Sequence, residues 1–388
     1  MDSFNQIWLK IKDQVIGLRR DIHKWPEVAY EEYKTQEKII EILKNHNVDY
    51  KVVAKTGVLA TVRGKHPGTT VAIRADIDAL SVKEETGLHF QSEREGYMHA
   101  CGHDGHIAIA MGTLLAMLEN KDFSGNIKFI FQPAEEKIGG ARHFVEGGYL
   151  EDISCIMALH LWPGLTQGTI GIKDGVFMAS NDYFEIKIVG KSTHGARPNE
   201  GIDSIYIGAK IVEELKNLIP REVDPVKGAV ISIGSFNGGN SYNIIPEIVN
   251  IQGTTRCLDR DLRTFLGKRI QEICTSIGNL YGAKVEVNYV YQYPVTYNYE
   301  EINHIIAKEG EKVLGENSVV KLAEPLMISE DFSFFTEKVK GAMFLLGTGN
   351  KEKDYTYPLH HSKFNFDEEI TLKSGINIMH NSIINILN

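Results

Sequence analysis

Four short stretches of the sequence concentrate cysteine, histidine, aspartate and glutamate, the side chains that bind transition-metal ions. The densest is Met98-His99-Ala100-Cys101-Gly102-His103-Asp104-Gly105-His106, where a thiol and several imidazoles precede a predicted helix. Gly102 and Gly105 leave the backbone free to turn there, so that neighbouring side chains can converge. The second, Gln132-Pro133-Ala134-Glu135-Glu136, follows a predicted strand. Adjacent side chains diverge in direction, so one carboxylate can ligate a metal while the other faces a reacting water. The third is His160, directly after an apolar run, and the fourth is Pro358-Leu359-His360-His361-Ser362. Each alone is an ordinary polar loop. Together they supply Cys101, His103, Glu136, His160 and His360 with Glu135 to spare, too many ligands for one four-coordinate zinc. Two divalent cations sharing a bridging ligand fit better, and a thiolate can bridge because its lone pairs point in several directions. Four positive charges against the two negative ones of Cys101 and Glu136 would draw a proton from a bridging water near neutral pH. The chemistry expected is hydrolysis by a metal-bound hydroxide with Glu135 as general base.

The elements that must position these groups alternate in type. Ile7, Ile11, Val15, Leu18 and Ile22 recur at helical spacing, and that first helix should stop near Trp25-Pro26. β-rich runs follow at 58–63 and 70–74, then a helix at about 104–118 with Ile107, Met111, Leu114 and Leu118 on one face. Short apolar runs at 126–131 and 154–159 complete a pattern of strands alternating with helices. The fold class is therefore α/β, a largely parallel mixed sheet flanked by helices. After Lys173-Asp174-Gly175 the order becomes strand 182–189, helix 203–218, strand 229–236, strand 247–256, helix 260–281 and strand 283–291. That is the split βαβ, or ferredoxin-like, order, read as a domain inserted at a surface loop of the first. The expected division is a catalytic domain of residues 1–177 and 293–388 and a lid or dimerisation domain of 178–292.

Composition narrows the partners. At 388 residues and 43% hydrophobic, the chain can fill two cores. A net charge of −9 leaves no excess of cations for a phosphate backbone or an anionic membrane surface, so neither nucleic acid nor membrane is expected. The insert lacks the aromatic strand pattern of a ferredoxin-like RNA-binding module. Met1-Asp2-Ser3-Phe4-Asn5-Gln6 lacks the basic and apolar regions of a secretory signal, and the expected location is the cytoplasm. Cys155, Cys257 and Cys274 form no disulfide framework with Cys101 and read as small core hydrophobes.

These motifs resemble a known family. His-Ala-Cys-Gly-His-Asp-Gly-His, Arg74-Ala75-Asp76-Ile77-Asp78-Ala79-Leu80, Gln-Pro-Ala-Glu-Glu and Gly190-Lys191-Ser192-Thr193-His194-Gly195-Ala196-Arg197-Pro198 are similar to those of the aminoacylase and carboxypeptidase family of dinuclear metallohydrolases. The branch it resembles holds hippurate hydrolases, auxin-conjugate amidohydrolases and N-acetyl-diaminopimelate deacetylases, and the likeness runs over about 19–366. The resemblance implies that Cys101 bridges the metals, Glu136 and His360 complete one site, and His103 and His160 complete the other. It selects His360 rather than His361, and it makes Asp76 and Asp78 partners that orient ligand imidazoles. It assigns His194 to the oxyanion, reaching across from a partner's lid in many relatives, and Asn243 to the substrate. Arg256 is suited to a substrate carboxylate and equally to a structural salt bridge. The implied reaction cleaves N-acyl amino acids, acetyl, benzoyl or similar, to a carboxylic acid and a free amino acid. The implied cofactors are two divalent ions per subunit, Zn, Mn, Co or Ni, and the implied assembly is a homodimer or homotetramer through the lid. A dipeptidase or aminopeptidase with the same centre is the alternative, and a non-catalytic metal-binding scaffold the remote one.

Overall fold

The computed structural model describes residues 3–137 and 139–388. They form two units, one from the chain up to Gly175 with Tyr297–Glu324 and Asp331–Asn388, the other from Val176–Thr296 and Pro325–Glu330. The sequence reading put the crossings at 177/178 and 292/293. The segment Pro325–Glu330 differs, going with the second unit rather than the first.

In the first unit the described residues build an eight-stranded sheet in the order Asp49–Val53, Gly57–Arg63, Ser124–Gln132, His66–Asp76, Ile153–Thr166, Lys340–Gly349, Ile170–Ile172 and Val319–Lys321. Its centre is parallel, from Ser124–Gln132 through His66–Asp76 and Ile153–Thr166 to Lys340–Gly349. Strands buried on both faces read as continuous apolar runs, as in Val71, Ala72 and Ile73 or Met343, Phe344, Leu345 and Leu346. The run at 154–159 continues to Thr166 past Pro163 and Gly164, residues that ordinarily end a strand. A register shift between Gly347 and Gly349 on the neighbouring strand absorbs them.

Helix Ser3–Lys24 buries Phe4, Trp8, Ile11, Val15, Leu18 and Ile22 and ends just before Pro26. Helix His103–Glu119 is buried around its whole circumference from His103 to Met117. It packs against Ser3–Lys24, the helix Glu368–Leu387 and the strand His66–Asp76. Backbones approach closely at Gly112, where a Cβ would meet Ile376 Cδ1 at 2.3 Å. Truncating a side chain such as Leu114 there would cost ~2–5 kcal/mol, because surroundings this dense cannot collapse into the cavity. The ligand-rich turn at the start of this helix thus rests on a densely packed part of the unit.

The second unit has four antiparallel strands in the order Ala229–Gly238, Ile248–Cys257, Asn181–Val189 and Lys284–Tyr293, with helices Ser204–Glu222 and Arg260–Tyr281 between them in sequence. This is the expected ferredoxin-like order. Alternate residues Phe184, Ile186 and Ile188 share one core with Ile207, Ile211, Leu215, Leu266 and Ile270 of the helices. Asp203 caps the first helix by accepting from Ile205 N and Tyr206 N at 3.0 Å, and Asp259 caps the second from Leu262 N at 2.7 Å. Asp182, fully buried, accepts from Arg263 Nη2 at 2.6 Å, Tyr289 Oη at 3.1 Å and Gln292 N at 3.0 Å. Among the described residues no helix is long and apolar enough to cross a membrane.

Candidate metal centre

The ligand-type residues, all in the first unit, come from the turn that opens helix His103–Glu119, the loop after strand Ser124–Gln132, the interior of strand Ile153–Thr166, where His160 lies within the strand rather than after it, and the loop that holds His360. Gly102, at φ +85°, takes the left-handed turn that starts the helix, and it sends Cys101 and His103 toward one point. His360 also lies in the left-handed region, at φ +65°, and its N–H is fastened to Ala100 O at 2.8 Å, which ties the last loop to the first.

The imidazoles are set by their outer nitrogens. His103 Nδ1 donates to Asp78 O at 2.8 Å and His160 Nδ1 donates to Leu161 O at 2.8 Å. Each ring therefore turns its Nε2 inward, the atom through which it can bind a metal. His160 Nε2 stands 3.5 Å from Cys101 Sγ, and His103 Nε2 lies 3.8 Å from Glu136 Oε1. Glu136 Oε1 is 3.3 Å from His360 Nε2. Two triads result, Cys101 with His103 and His160 and Cys101 with Glu136 and His360, each with its ligand atoms within 4.8 Å of one another. The thiol is common to both. Glu135 forms a further group with His103 and Glu136.

Asp78 places the carboxylates through the backbone: its Oδ1 accepts from Glu135 N and its Oδ2 from Glu136 N, each at 3.0 Å. It serves His103 through its main-chain oxygen, with the carboxylate 3.5 Å away. The sequence reading that Asp76 orients a ligand imidazole needs refinement. Asp76 Oδ1 binds His106 Nδ1 at 2.5 Å, whereas His103 Nε2 lies 3.6 Å from its other oxygen. His106 Nε2 in turn accepts from Leu161 N at 3.0 Å, directly beside His160. His106 is thus spent on structure, and sequence reasoning passed over it. The available signal was its place in the first helical turn, three residues from His103 and on the same face.

Buried His103 Nε2 has no hydrogen-bond partner, and Glu136 Oε1 has only its contact with the exposed His360 at 3.3 Å. Buried atoms this short of partners are costly unless something binds them, and here both are metal-ligand types. Electrostatics agree. Burial opposes charge on His103, yet Asp76, Asp78 and Glu136 outweigh it and push the imidazolium up to about 10. Burial first, and then Glu136, Glu135 and Asp76, raise the Cys101 thiol well above its usual range. His160 is driven down to about 3 by burial and by the neighbouring imidazole of His106, so its lone pair stays available. A pocket that holds carboxylates around a proton it cannot easily lose is one that divalent cations fit.

The remaining residues singled out from sequence belong to the second unit. His194 is exposed, and its Nδ1 accepts from Ala196 N at 3.0 Å, so its Nε2 carries the hydrogen. Asn243 is also exposed; its carbonyl accepts from Gly195 N at 2.8 Å and its side chain from Ser241 Oγ at 2.6 Å. Arg256 is half-buried, and its Nη1 is engaged by Asn181, Thr254 and the Thr255 carbonyl of its own sheet.

Comparison with known proteins places this geometry. The model of peptidase family M20/M25/M40 matches residues 72–385. The chain is 40% identical over 372 residues to thermostable carboxypeptidase 1 of Saccharolobus solfataricus, covering 94% of this chain and 93% of that protein. It is also 40% identical over 295 residues to an N-acyl-L-amino acid amidohydrolase of Geobacillus stearothermophilus, covering 75% and 80%. A Bacillus subtilis crystal structure described as a dinuclear metal binding peptidase of the M20 family superposes with a TM-score of 0.84 at 34% identity, covering 97% of this chain and 98% of that one.

Proposed function

This chain belongs to peptidase family M20/M25/M40 and is a hydrolase, and from that premise we propose that it removes the acyl group from small N-acyl amino acids. The observation that carries the reading is the Cys101 thiol shared by two ligand triads, one fully buried and the other reaching out to the exposed His360, with Glu135 and Glu136 positioned by Asp78. Cys101, Glu136 and His360 would hold one divalent ion, Zn, Mn, Co or Ni, and Cys101, His103 and His160 the other. When bound, such ions supply Lewis acidity and an acidified water.

The chain's own residues do the rest. Glu135 takes the proton released from the attacking water and delivers it to the amide nitrogen as the C–N bond breaks, leaving a carboxylic acid and a free amine. His194, fixed as an Nε2–H donor, suits a developing oxyanion, and that role is carried forward for it. Asn243 is assigned to the substrate. Arg256 keeps its proposed carboxylate-binding role in competition with the neighbours that already engage it.

The substrate class rests on the names of relatives, among them a Bacillus velezensis N-acetyldiaminopimelate deacetylase at 35% identity, and on the Cys-Gly-His form of the first motif. The likeness to a carboxypeptidase keeps a peptidase reading as the second. Both cut an amide, and an acyl amino acid and the C-terminus of a peptide both present a free α-carboxylate next to it. A panel of N-acetyl and N-benzoyl amino acids against dipeptides, with protein stripped and reloaded with Zn, Mn, Co or Ni, separates them. Release of amino acid from the acyl substrates is expected, and cleavage confined to the dipeptides overturns the proposal. Replacing Glu135 by Gln should leave the metal content intact and lower kcat by roughly 10²–10⁴-fold. Retained turnover would remove Glu135 from the role. Assembly as a homodimer or homotetramer through the second unit, and a cytoplasmic location suited to four free cysteines, complete the proposal.

A further inference from the structure

Asp331 lies outside every motif described above, yet three parts of the centre's support converge on it. Its carboxylate is fully buried. Oδ1 accepts from Arg74 Nη2 at 2.7 Å, and Arg74 also donates to Asp76 Oδ2 at 2.7 Å and, through Nε, to Gln132 Oε1 at 2.9 Å. Oδ2 accepts from Gln132 Nε2 at 2.7 Å and from Ala141 N at 3.1 Å. Gln132 and Ala141 bracket the loop that carries Glu135 and Glu136, one ending the strand before it and the other starting the helix after it. Space there is tight, since a Cβ on Gly140 would sit 1.8 Å from Pro133 O.

We infer that Asp331 is a positioning residue, a clamp that closes both ends of the Glu135–Glu136 loop and so sets the ion held by Glu136 and His360 apart from the ion held by His103 and His160. The inference rests on the ligand assignment proposed above. The division of labour between the two oxygens gives it direction. In Asp331→Asn the positive Arg74 selects the remaining oxygen, so the new amide N–H₂ faces Gln132 Nε2 and Ala141 N, two donors. The damage falls on the loop and spares the arm through Arg74, Asp76 and His106. Adding Gln132→Glu reverses one conflict: the carboxylate introduced there can accept from Arg74 with one oxygen and from the new amide N–H₂ with the other, leaving unmade the Ala141 bond and the bond that Gln132 Nε2 donates to Pro133 O at 3.2 Å.

The test titrates Co²⁺ into metal-free wild type, Asp331→Asn and Asp331→Asn/Gln132→Glu, following the two binding steps by absorbance. Partners behind metal ligands change affinity by about 10–100-fold. The single variant should weaken one step by at least about tenfold and leave the other within about twofold, and the double variant should recover part of that loss while the unmade Ala141 bond keeps that step at least about threefold weaker than in wild type. At a Co²⁺ concentration that half-fills the weakened step, turnover should fall in proportion to its occupancy, with KM within about twofold of wild type. Equal shifts of both steps, or a double variant no better than the single, overturn the clamp. If the single variant does not fold, the double variant carries the test alone, and an isotherm identical to wild type overturns the inference. These isotherms need no substrate, so failure of the amidohydrolase reading shows separately as a wild type that releases no amino acid.

Discussion

Glu32 offers a stability test whose size follows from the structure. Its carboxylate is fully buried, accepts from Ala134 N at 3.0 Å and from Thr56 Oγ1 at 2.6 Å, and supports the backbone just before Glu135. Burial, partly offset by the Thr56 hydrogen bond, pushes this carboxyl up to about 7 from 4.5. The folded state therefore binds the proton more tightly than the unfolded chain, and the stabilising effect of protonation is lost as pH rises from 4.5 to about 7. At ~1.4 kcal/mol per pH unit, that window costs the native state about 3 kcal/mol by pH 8. Glutamine at this position keeps both contacts, its oxygen accepting from Ala134 N and its amide donating to Thr56, and it carries no charge to bury. The difference in unfolding free energy between Glu32→Gln and wild type, from urea titrations of metal-free protein, should therefore swing by about 3 kcal/mol in the variant's favour between pH 4.5 and pH 8. A swing smaller than ~1 kcal/mol would mean that Glu32 ionises in the folded protein almost as it does in water, and the reasoning would fail.

Two further outcomes are expected. In the metal-free centre His103 and Cys101 both hold protons at neutral pH, and a cation must displace them. Co²⁺ affinity should then rise with pH by between about tenfold and a hundredfold per unit from about pH 6 to 8, measured by competition with a chelator, and a pH-independent affinity contradicts the assigned ligands. Asp182→Ala removes the acceptor shared by Arg263, Tyr289 and Gln292 and should cost the second unit ~3 kcal/mol in urea unfolding while leaving the metal content unchanged.

What could be read in advance follows from how locally each feature is encoded. Cys101, His103, Glu135 and Glu136 were legible because they sit in short stretches dense in ligand types, one opening a helix and the other following a strand that an apolar run announces. His160 and His360 were legible only as additions to that set. The insert was legible because each of its strands and helices keeps a clean periodicity and its helices carry Asp203 and Asp259 as caps. Glu32 and Asp331 were not, because their partners Ala134 and Gln132 lie 102 and 199 residues away, a separation that no local pattern records. Short strands such as Ile170–Ile172 and Val319–Lys321 escaped for a related reason, being too brief to show alternation and owing their pairing to neighbours distant in sequence.

The place of strand Lys340–Gly349, between Ile153–Thr166 and Ile170–Ile172, bears on how the chain is made. A ribosome releases 176–296 as an unbroken stretch that already contains its own strands, helices and core, whereas the first unit waits for a central strand encoded near the end. At ~5–20 residues per second the stretch from 297 to 349, which completes that strand, takes about 3–11 seconds to emerge. For that interval the apolar edge of Ile153–Thr166 stays open to pairing with another nascent chain. Recovery of native protein during overproduction then depends on translation speed, temperature and holdase chaperones more than on the stability of the finished fold.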